Sequence, residues 1–450
     1  MVDKSEISKV LGVTIPVSSD MQTAMVEWEE LYTNRSLWIK EDTISLELAS
    51  EISSEVARLI TNGGKSWISG SQRADYLQEQ YGNFMTRIRR DTEFACALGG
   101  IVFKPYLSGS RIKVDSITAD RFYPVSFDSD GEITASVFQE RQTIEKNYYT
   151  RLEYHALDVQ TGVYTVVNRA FVSKDSLSLG RECSLQDIPQ WNGYTEEMII
   201  RNIERPLFAY YRMPAANNID IGSPLGMSCY KKAAEEIRQA DQHWERIMWE
   251  YQGSELAVMA EQSMFMVEHG KPAIPRGKQR LYRILQGNGE GLFKEFSPAI
   301  RDQSLFNGLN RILQRIEFNC GLAYGTLSEP SEIEKTATEI LISKQRSYVQ
   351  VCKIQKSLES AMEQLVYAMD VYADLYELAP AGTYSLSCTW GDSVLEDIDK
   401  EFQRRLQLVT AGKLKPEKLL AWYFNIDEET AVKEYMPVEK ELFHADAVTI

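Results

Sequence analysis

The chain has 450 residues, of which 44% are apolar and 25% are charged. These ordinary globular proportions exclude wholesale disorder and a collagen-like fibre. Asp and Glu number 65 against 49 Lys and Arg, so the formal net charge is -16. An acidic chain is a poor candidate for wrapping nucleic acid, although it could still surround DNA without adhering to it.

Several further classes find no support in the sequence. No stretch approaches 18 consecutive apolar residues, so we expect no transmembrane helix. The opening residues, MVDKSEISKVLGV, lack the apolar core of a signal peptide. The six cysteines are widely spaced and only four histidines are present. We therefore expect no disulfide frame, no zinc site and no histidine-based triad.

The N-terminal part predicts three amphipathic helices. Apolar residues recur at helical spacing over residues 21–40, 44–61 and 71–97. Ser71 is placed to cap the third helix, and Gly99 is expected to end it.

From residue 101 the pattern changes to short runs rich in β-branched and aromatic residues. These runs predict a mostly antiparallel β region up to about residue 206, with one hairpin turning at Thr161-Gly162. The Asp-Ser-Asp-Gly stretch at 128–131 resembles the start of a calcium loop, but the third acidic position and the closing glutamate are missing. A hairpin turn between two strands explains it better.

Two long helices are predicted to bracket a small αβ insert. Ser223 and Pro224 fit the first positions of a helix that we expect to run to Gly253. The insert follows, with a short helix over 256–262 and then the strand-like runs MFMVEH, QRLYRIL and LFKEF. Residues 298–320 are predicted to be helical again, because their apolar residues recur every three or four positions.

A polar connection over residues 329–338 precedes the longest predicted helix. Connections of this length often carry function. Residues 336–376 as one helix would span roughly 60 Å at about 1.5 Å per residue. The strand-like run TYSLSCTW follows, and the C-terminal segment is predicted to be helical with a break at Gly412 and a new start at Pro416.

No catalytic constellation stands out. NGGKSW at 62–67 resembles a phosphate loop but lacks the earlier glycine and a preceding strand, so we interpret it as a helix stop and turn. His243 has no second histidine one turn away, which favours a surface or interface role over a metal site. No GxSxG motif is present. The many carboxylates alone leave a carboxylate-dependent hydrolase open as an alternative.

Two groups of residues are candidates for contacts with partners. Five cations of the insert form either a partner-docking surface or an ordinary solvated strand face. They are Lys271, Arg276, Lys278, Arg280 and Arg283. Three aromatic residues late in the first long helix are either anchors of a subunit interface or, equally, part of the core of one subunit. They are Trp244, Trp249 and Tyr251.

The order of several segments is similar to that in a known family. VEWEELYTNRSLWIK near the start is followed by YTRLEYHAL, PLFAYYRMPAANNIDIGSPLG, HWERIMWEYQ, QRLYRIL, FSPAIRDQSLFNGLNRILQRIEFNCGLAYGTLS and KTATEILISKQRSY. Together with the helix–insert–helix plan, this order resembles the portal proteins of tailed double-stranded-DNA bacteriophages. The resemblance is closest to the siphophage portal family of phages infecting Gram-positive bacteria, and it spans most of the chain.

The resemblance implies a helix-rich α+β fold divided into wing, stem, clip and crown. The implied parts are the wing at 1–222, a stem helix at 223–253, the clip at 254–301, a second stem helix at 302–323, a channel loop, long wing helix and returning strand at 324–390, and the crown at 391–450. The last region is short, which implies a small crown.

The resemblance also implies a structural role without catalysis. Portal subunits form a ring, usually of twelve, at one capsid vertex, and double-stranded DNA passes through its channel during packaging and ejection without sequence specificity. The implied partners are the major capsid and scaffolding proteins, the terminase large subunit and then the head–tail adaptor. No cofactor, metal or membrane is implied. The implied location is the virion, with the host cytoplasm during assembly.

The implied site residues lie in the loop and on the second stem helix. The channel loop would include Glu329, Glu332, Glu334, Lys335, Thr336 and Thr338. Arg311 and Arg315 would face the channel from the stem, where a few cations in an acidic lumen would let DNA slide. The alternative is a monomeric helical adaptor that binds a scaffold, which would leave a large apolar stripe exposed.

Overall fold

A computed structural model describes residues 3–40, 44–254, 257–261, 267–268, 271–272, 282–285, 293–296, 299–329, 337–390, 398–424 and 428–435. In the insert and in parts of the later helices only the backbone is described. The chain forms two compact units, residues 1–390 and 391–450. None of the described helices is long and apolar enough to cross a membrane.

Helices and strands alternate in blocks along the chain. The helices are α1 (Lys4–Leu11), α2 (Ser19–Tyr32), α3 (Leu48–Thr61), α4 (Gln72–Met85), α5 (Ile88–Leu98), α6 (Ala234–Gly253), α7 (Asp302–Cys320), α8 (Ala337–Leu375), α9 (Ile398–Thr410), α10 (Pro416–Phe424) and α11 (Glu428–Tyr435). The strands are β1 (Lys65–Gly70), β2 (Gly100–Ser108), β3 (Arg111–Thr118), β4 (Phe122–Phe127), β5 (Ile133–Ile144), β6 (Asn147–Asp158), β7 (Val163–Ser173), β8 (Arg181–Cys183), β9 (Glu197–Ile200), β10 (Ala209–Arg212), β11 (Ala257–Glu261), β12 (Val267–Glu268), β13 (Lys271–Pro272), β14 (Tyr282–Leu285), β15 (Phe293–Phe296) and β16 (Tyr384–Thr389). The mixture confirms the predicted α+β class.

The first predicted helix is shorter in the structure than in the prediction. Ser18 begins α2 by accepting the backbone N–H of Met21 at 3.1 Å. The helix ends at Tyr32, and Asn34 then adopts a left-handed conformation with φ of 56°. Asparagine tolerates this conformation better than most residues. The chain therefore turns here, and the helix does not extend to residue 40.

The predicted single helix over 71–97 is two helices, α4 and α5. Arg87 leaves the helical conformation between them, and its guanidinium donates to the Val114 carbonyl on β3. The apolar spacing continues through this break, which explains why the periodicity did not show it. Gly99, with φ of 84°, ends α5 as predicted.

The long helix α8 packs on a three-stranded antiparallel sheet in the order β10–β2–β3 and also contacts α3 and α4. Its residues Leu358, Met362 and Leu365 are fully buried in the main hydrophobic core. The bounds of α8 confirm the long helix predicted over 336–376. Its apolar stripe therefore lies largely inside the subunit.

The β region is antiparallel, as predicted. Its main sheet has the order β4–β5–β6–β7–β8, and β9 also pairs with β7. The β6–β7 hairpin pairs Asp158 with Val163 around the predicted Thr161-Gly162 turn. At the β4–β5 turn, Asp128 Oδ1 accepts the backbone N–H groups of Asp130 and Glu132, both at 2.9 Å. The 128–131 stretch is therefore a hairpin turn.

Residues 62–67 form no phosphate loop. α3 ends at Thr61, Gly63 turns in a left-handed conformation with φ of 70°, and Lys65 begins β1. β1 pairs antiparallel with β16, the strand that TYSLSCTW predicts. The interpretation as a helix stop and turn is confirmed.

The first long helix begins at Ala234, and the prediction of a start at Ser223 is wrong. Gly226 lies so close to Gly99 that a Cβ on Gly226 would sit 2.1 Å from the Gly99 carbonyl oxygen. Tyr230 is buried and donates to a carbonyl of α2 at 2.7 Å. These tertiary contacts hold residues 223–230 in a non-helical path, so the Ser-Pro pair caps no helix.

The helices α6 and α7 pack against each other in opposite directions. His243 Nε2 lies 2.8 Å from the Leu305 carbonyl oxygen, and further along α6 Glu250 pairs with Arg301 at 2.8 Å. His243 therefore joins two helices of one subunit. The predicted helix–insert–helix arrangement is present, with α7 beginning at Asp302, not at residue 298.

The short helix predicted over 256–262 is wrong, because β11 occupies this position. β11 pairs parallel to β14 on one side and antiparallel to β15 on the other. A short apolar run cannot be assigned to helix or strand by periodicity alone. Here backbone pairing with a strand on each side shows that the run is a strand. β14 and β15 confirm the strands predicted from QRLYRIL and LFKEF.

The second unit contains α9, α10 and α11. Gly412, with φ of 68°, separates the first two helices, and Pro416 is the first residue of α10. The rings of Phe402 and Tyr423 lie 4.9 Å apart and join α9 to α10. The predicted break and restart are confirmed.

Candidate functional site

A buried carboxylate holds the segment that follows α7. Glu317 is fully buried on α7. Its Oε1 accepts the backbone N–H groups of Gly325 at 3.1 Å, Leu327 at 2.6 Å and Ser328 at 2.8 Å. Its Oε2 accepts the Ser328 hydroxyl at 2.9 Å. Hydrogen bonds to an ionised carboxylate are about twice as strong as neutral ones, so residues 325–328 are firmly tethered to the helix.

A second tether lies two helical turns earlier on α7. Asn310 Oδ1 accepts the backbone N–H of Glu329 at 2.8 Å, and Asn310 Nδ2 approaches the Glu329 carbonyl oxygen at 3.5 Å. The segment therefore runs back along α7 from Glu317 to Asn310. Glu329, the first candidate residue of the channel loop, leaves this helix at a defined position.

The first half of α8 is tied to the end of α7. Arg346 donates to the Phe318 carbonyl oxygen at 2.8 Å, and its guanidinium lies 4.0 Å from the centroid of the Phe318 ring. Gln350 donates to the Cys320 carbonyl oxygen at 3.1 Å. These donors satisfy carbonyl groups that the end of a helix leaves without partners. α7 therefore contacts both the segment before the 330–336 connection and, further along, the helix that follows it.

The remaining loop candidates are described only in part. Glu332, Glu334, Lys335 and Thr336 lie outside the described residues. Thr338 lies in the first turn of α8, where only the backbone is described.

Arg311 and Arg315 are one turn apart on α7 and both are exposed. Arg311 donates to the side chain of Gln314 at 3.2 Å. Arg315 lies 3.8 Å from a carboxylate oxygen of Glu236 on α6, and its side chain is 63% exposed. Exposed contacts of this kind contribute little to stability. The role of both cations in a channel remains a prediction.

The cations of the insert are mostly outside the described residues. Lys271 lies in β13 and Arg283 in β14, where the backbone alone is described. Arg276, Lys278 and Arg280 lie outside the described residues. Their common docking role remains a prediction.

The aromatic candidates on α6 separate into two kinds. The ring of Trp244 lies 6.3 Å from that of Phe306 on α7, edge to face, so Trp244 packs within the subunit. Trp249 is 68% exposed and lines an open groove of about 820 Å³ with Ile44 and Met248. Tyr251 is 38% exposed. Trp249 and Tyr251 are therefore available for contact with another subunit.

A second polar cluster lies in the β region. Glu153 on β6 contacts Lys104 on β2, Arg151 Nη1 at 3.0 Å and His155 Nε2 at 2.8 Å. Burial alone would raise the pKa of Glu153, but Lys104 and Arg151 hold it well below its ordinary value. Burial lowers the pKa of His155, and hydrogen bonding to Glu153 opposes this shift. His155 Nδ1 also lies 2.7 Å from the Tyr164 hydroxyl.

This cluster lines a cavity of about 630 Å³. The Glu153 carboxylate is matched by Lys104 and Arg151, which is the arrangement that neutralises buried charge. Among the described residues, no group of three or more His, Cys, Asp or Glu side chains could hold a metal ion.

Sequence reasoning missed Glu317, Asn310 and the Glu153 cluster. One signal for Glu317 was present, because it follows Leu313 by four positions and precedes Cys320 by three. A charged residue on the apolar face of a helix requires a buried partner. No comparable signal pointed to Lys104 and Glu153, because sheet packing joins strands that are distant in the chain.

Glu317 and Asn310 anchor a segment, and the Glu153 cluster balances a buried charge. The sequence model of the family described as phage portal protein, SPP1 Gp6-like, matches residues 37–442. The chain therefore belongs to this family of phage portal proteins. The family is structural and not enzymatic, and its members act as head–tail connectors.

One solved structure is similar to this chain at low sequence identity. A chain of the solved structure titled "Neck of native GTA particle computed with C12 symmetry" is similar to this chain with a TM-score of 0.46 and 9% identity. The match covers 94% of this chain and 99% of that chain. No curated protein matches the sequence.

Proposed function

We propose that the protein forms a closed ring of twelve subunits at one capsid vertex and that double-stranded DNA passes through its centre. Family membership supports a portal role in the virion. The observation that carries the channel assignment is the attachment of residues 325–329 to α7 by Glu317 and Asn310. A loop that meets moving DNA must leave its helix from a fixed point, and this double tether supplies one.

The proposed parts follow the described elements. α6 and α7 are the stem, the insert at 254–301 is the clip, and α8 crosses the wing. The wing extends over 1–222, and residues 391–450, which form a compact unit of their own, are the crown. The tethered segment and the connection at 330–336 form the channel loop.

The proposed partners follow from these positions. The wing and crown meet the major capsid and scaffolding proteins, and the clip docks the terminase large subunit and later the head–tail adaptor. DNA is contacted without sequence specificity, because strong phosphate binding would stall it in the channel. The acidic net charge of -16 per subunit supports weak contact with DNA. Assembly takes place in the host cytoplasm.

The native mass of the purified protein tests the ring. Twelve subunits of 51.4 kDa give 12 × 51.4, about 617 kDa, because closed rings have whole-number stoichiometry. We expect mass photometry to show this discrete mass and electron images to show annular particles. A neighbouring whole number would change only the symmetry. A monomer that persists at all concentrations and with scaffolding protein would contradict the proposal.

The clip assignment predicts that partner docking can be weakened without affecting ring formation. Reversing three cations, Arg276→Glu, Lys278→Glu and Arg280→Glu, should leave the ring mass unchanged and weaken docking of the terminase or adaptor by about tenfold or more, because charges at an interface set partner choice. Pull-down of each partner by wild-type and variant rings measures the effect. Unchanged docking of both partners would show that these cations are an ordinary solvated face.

A further inference from the structure

A cleft of about 340 Å³ lies between the end of α7, the middle of α8 and the segment that leads into α6. Four cations line it. They are Lys231, Lys232, Arg346 and Lys353. No Asp or Glu is among the described residues that line the cleft, although the chain carries a net charge of -16. The cleft therefore favours the binding of a negatively charged group.

One face of α8 forms a wall of the cleft. Arg346, Val349, Gln350 and Lys353 follow the spacing of three and four that places side chains on the same side of a helix. Val349, at the centre, is 47% exposed. Met213, Met227 and Ile354 are buried behind it. An apolar centre with a charged rim is the usual anatomy of a protein interface.

The fold of one subunit does not account for two of these cations. Lys232 and Lys353 are exposed and make no ion pair within the described part of the chain. Lys232 also lies just before the N-terminus of α6, where positive charge is unfavourable because the helix dipole presents its positive end there. Arg346 differs, since it caps α7 in its own subunit.

We propose that this cleft receives an acidic surface, bearing at least one apolar side chain, from the adjacent subunit of the ring. The proposal rests on the ring proposed above. In a closed ring one patch of a subunit meets a different patch of its neighbour, so a basic cleft can face an acidic surface of an identical chain. Subunits of charge -16 repel one another, and a contact between opposite charges offsets that repulsion where they meet. The apolar centre favours a protein surface over a DNA backbone.

Reversing Lys232 and Lys353 tests the cleft. The double variant Lys232→Glu and Lys353→Glu should raise the subunit concentration at which half the protein is in rings by about tenfold or more, the factor that corresponds to about 1.4 kcal/mol. Val349→Lys should weaken assembly while keeping the cations. The matched control reverses Lys146 and Lys174, which are exposed at turns of the β region and make the same change in net charge. The control should assemble as wild type does.

Mass photometry over a dilution series gives the ring fraction, and thermal melting of the dissociated subunits checks that each variant is folded. Rings of the double variant as stable as those of wild type would overturn the cleft proposal and leave the ring intact. Normal rings with altered DNA affinity would also overturn it and assign the cations to DNA. A wild-type protein that forms no ring, even with scaffolding protein, would overturn both proposals.

Discussion

Replacing Glu317 by alanine should release the segment 325–328 from α7 and lower the free energy of unfolding by about 2–4 kcal/mol. The change removes the acceptor of three backbone N–H groups and of the Ser328 hydroxyl at once. Glu317→Gln keeps one oxygen acceptor and an amide that can donate to the Ser328 hydroxyl. Its cost should be nearer about 1 kcal/mol, because the three backbone bonds remain without charge assistance and only the Ser328 hydroxyl loses its acceptor.

Hydrogen exchange locates this effect on the segment itself. In Glu317→Ala, the amides of Gly325, Leu327 and Ser328 should exchange at least about tenfold faster, because local opening now costs less. Rings should still form, since Glu317 is buried within the subunit. The yield and retention of packaged DNA should fall, because the channel loop no longer leaves α7 from a fixed point.

Gln303→Ala is the matched control on the same helix. Gln303 is exposed, and its side chain donates to Asn307 alone among the described residues. Its stability, amide exchange and packaging should match those of wild type. Full amide protection in Glu317→Ala would show that the tether does not order the segment. Altered exchange with normal packaging would keep the tether and remove its role in the channel.

The longest helix and the β6–β7 hairpin were predictable from the sequence, because long periodic segments carry a strong signal. α8 repeats apolar residues every three or four positions from Tyr348 to Leu375, and the β6–β7 hairpin has two alternating runs around one glycine turn. Short segments carry a weaker signal. The run at β11 suits a helix or a strand equally well, and only pairing with β14 and β15 decides.

Tertiary contacts explain the other misses. Ser223-Pro224 has the local chemistry of a helix start, yet the close approach of Gly226 to Gly99 overrides it. The break at Arg87 depends on a carbonyl of β3 that lies far along the chain. The tether at Glu317 likewise depends on backbone N–H groups, which no side-chain pattern displays.

Glu153→Gln should strongly destabilise the β region, with a loss of about 3–5 kcal/mol in the free energy of unfolding. The amide removes the negative charge that Lys104 and Arg151 share in a buried site. Lys104, which is nearly buried, then loses its carboxylate partner, whereas Arg151 keeps Glu140 at 2.7 Å. Leaving a buried charge without its partner costs more than the original pair contributed. Urea unfolding at pH 7 measures this loss.

The matched control is Glu182→Gln on β8. Glu182 pairs with Arg169 at 2.9 Å, but both side chains are about half exposed. An exposed pair contributes about 0–1 kcal/mol, so the control should unfold almost as wild type does. Equal losses of unfolding free energy in the two variants would show that burial does not make the Glu153 cluster more important for stability than an exposed pair.

The same cluster predicts a pH dependence in two stages. The pKa of His155 is lowered in the folded protein, so below about pH 6.5 the unfolded chain binds this proton first and stability falls. The pKa of Glu153 is also lowered, so its contribution is present above about pH 4.5 and is lost as the pH falls below that value. Arg151 stays charged throughout this range, because Glu153 and Glu140 raise its pKa against the effect of burial.

His155→Gln isolates the first stage. Glutamine does not titrate, so the decline in stability between pH 7 and pH 5 should become shallower even if the variant is less stable at every pH. In the wild type, neutral His155 donates from Nε2 to Glu153 and accepts the Tyr164 hydroxyl at Nδ1. A second ring proton would occupy Nδ1, so the Tyr164 hydroxyl would lose its acceptor. An unchanged slope of stability against pH would show that a group other than His155 titrates in this range. That outcome would not affect the prediction for Glu153→Gln.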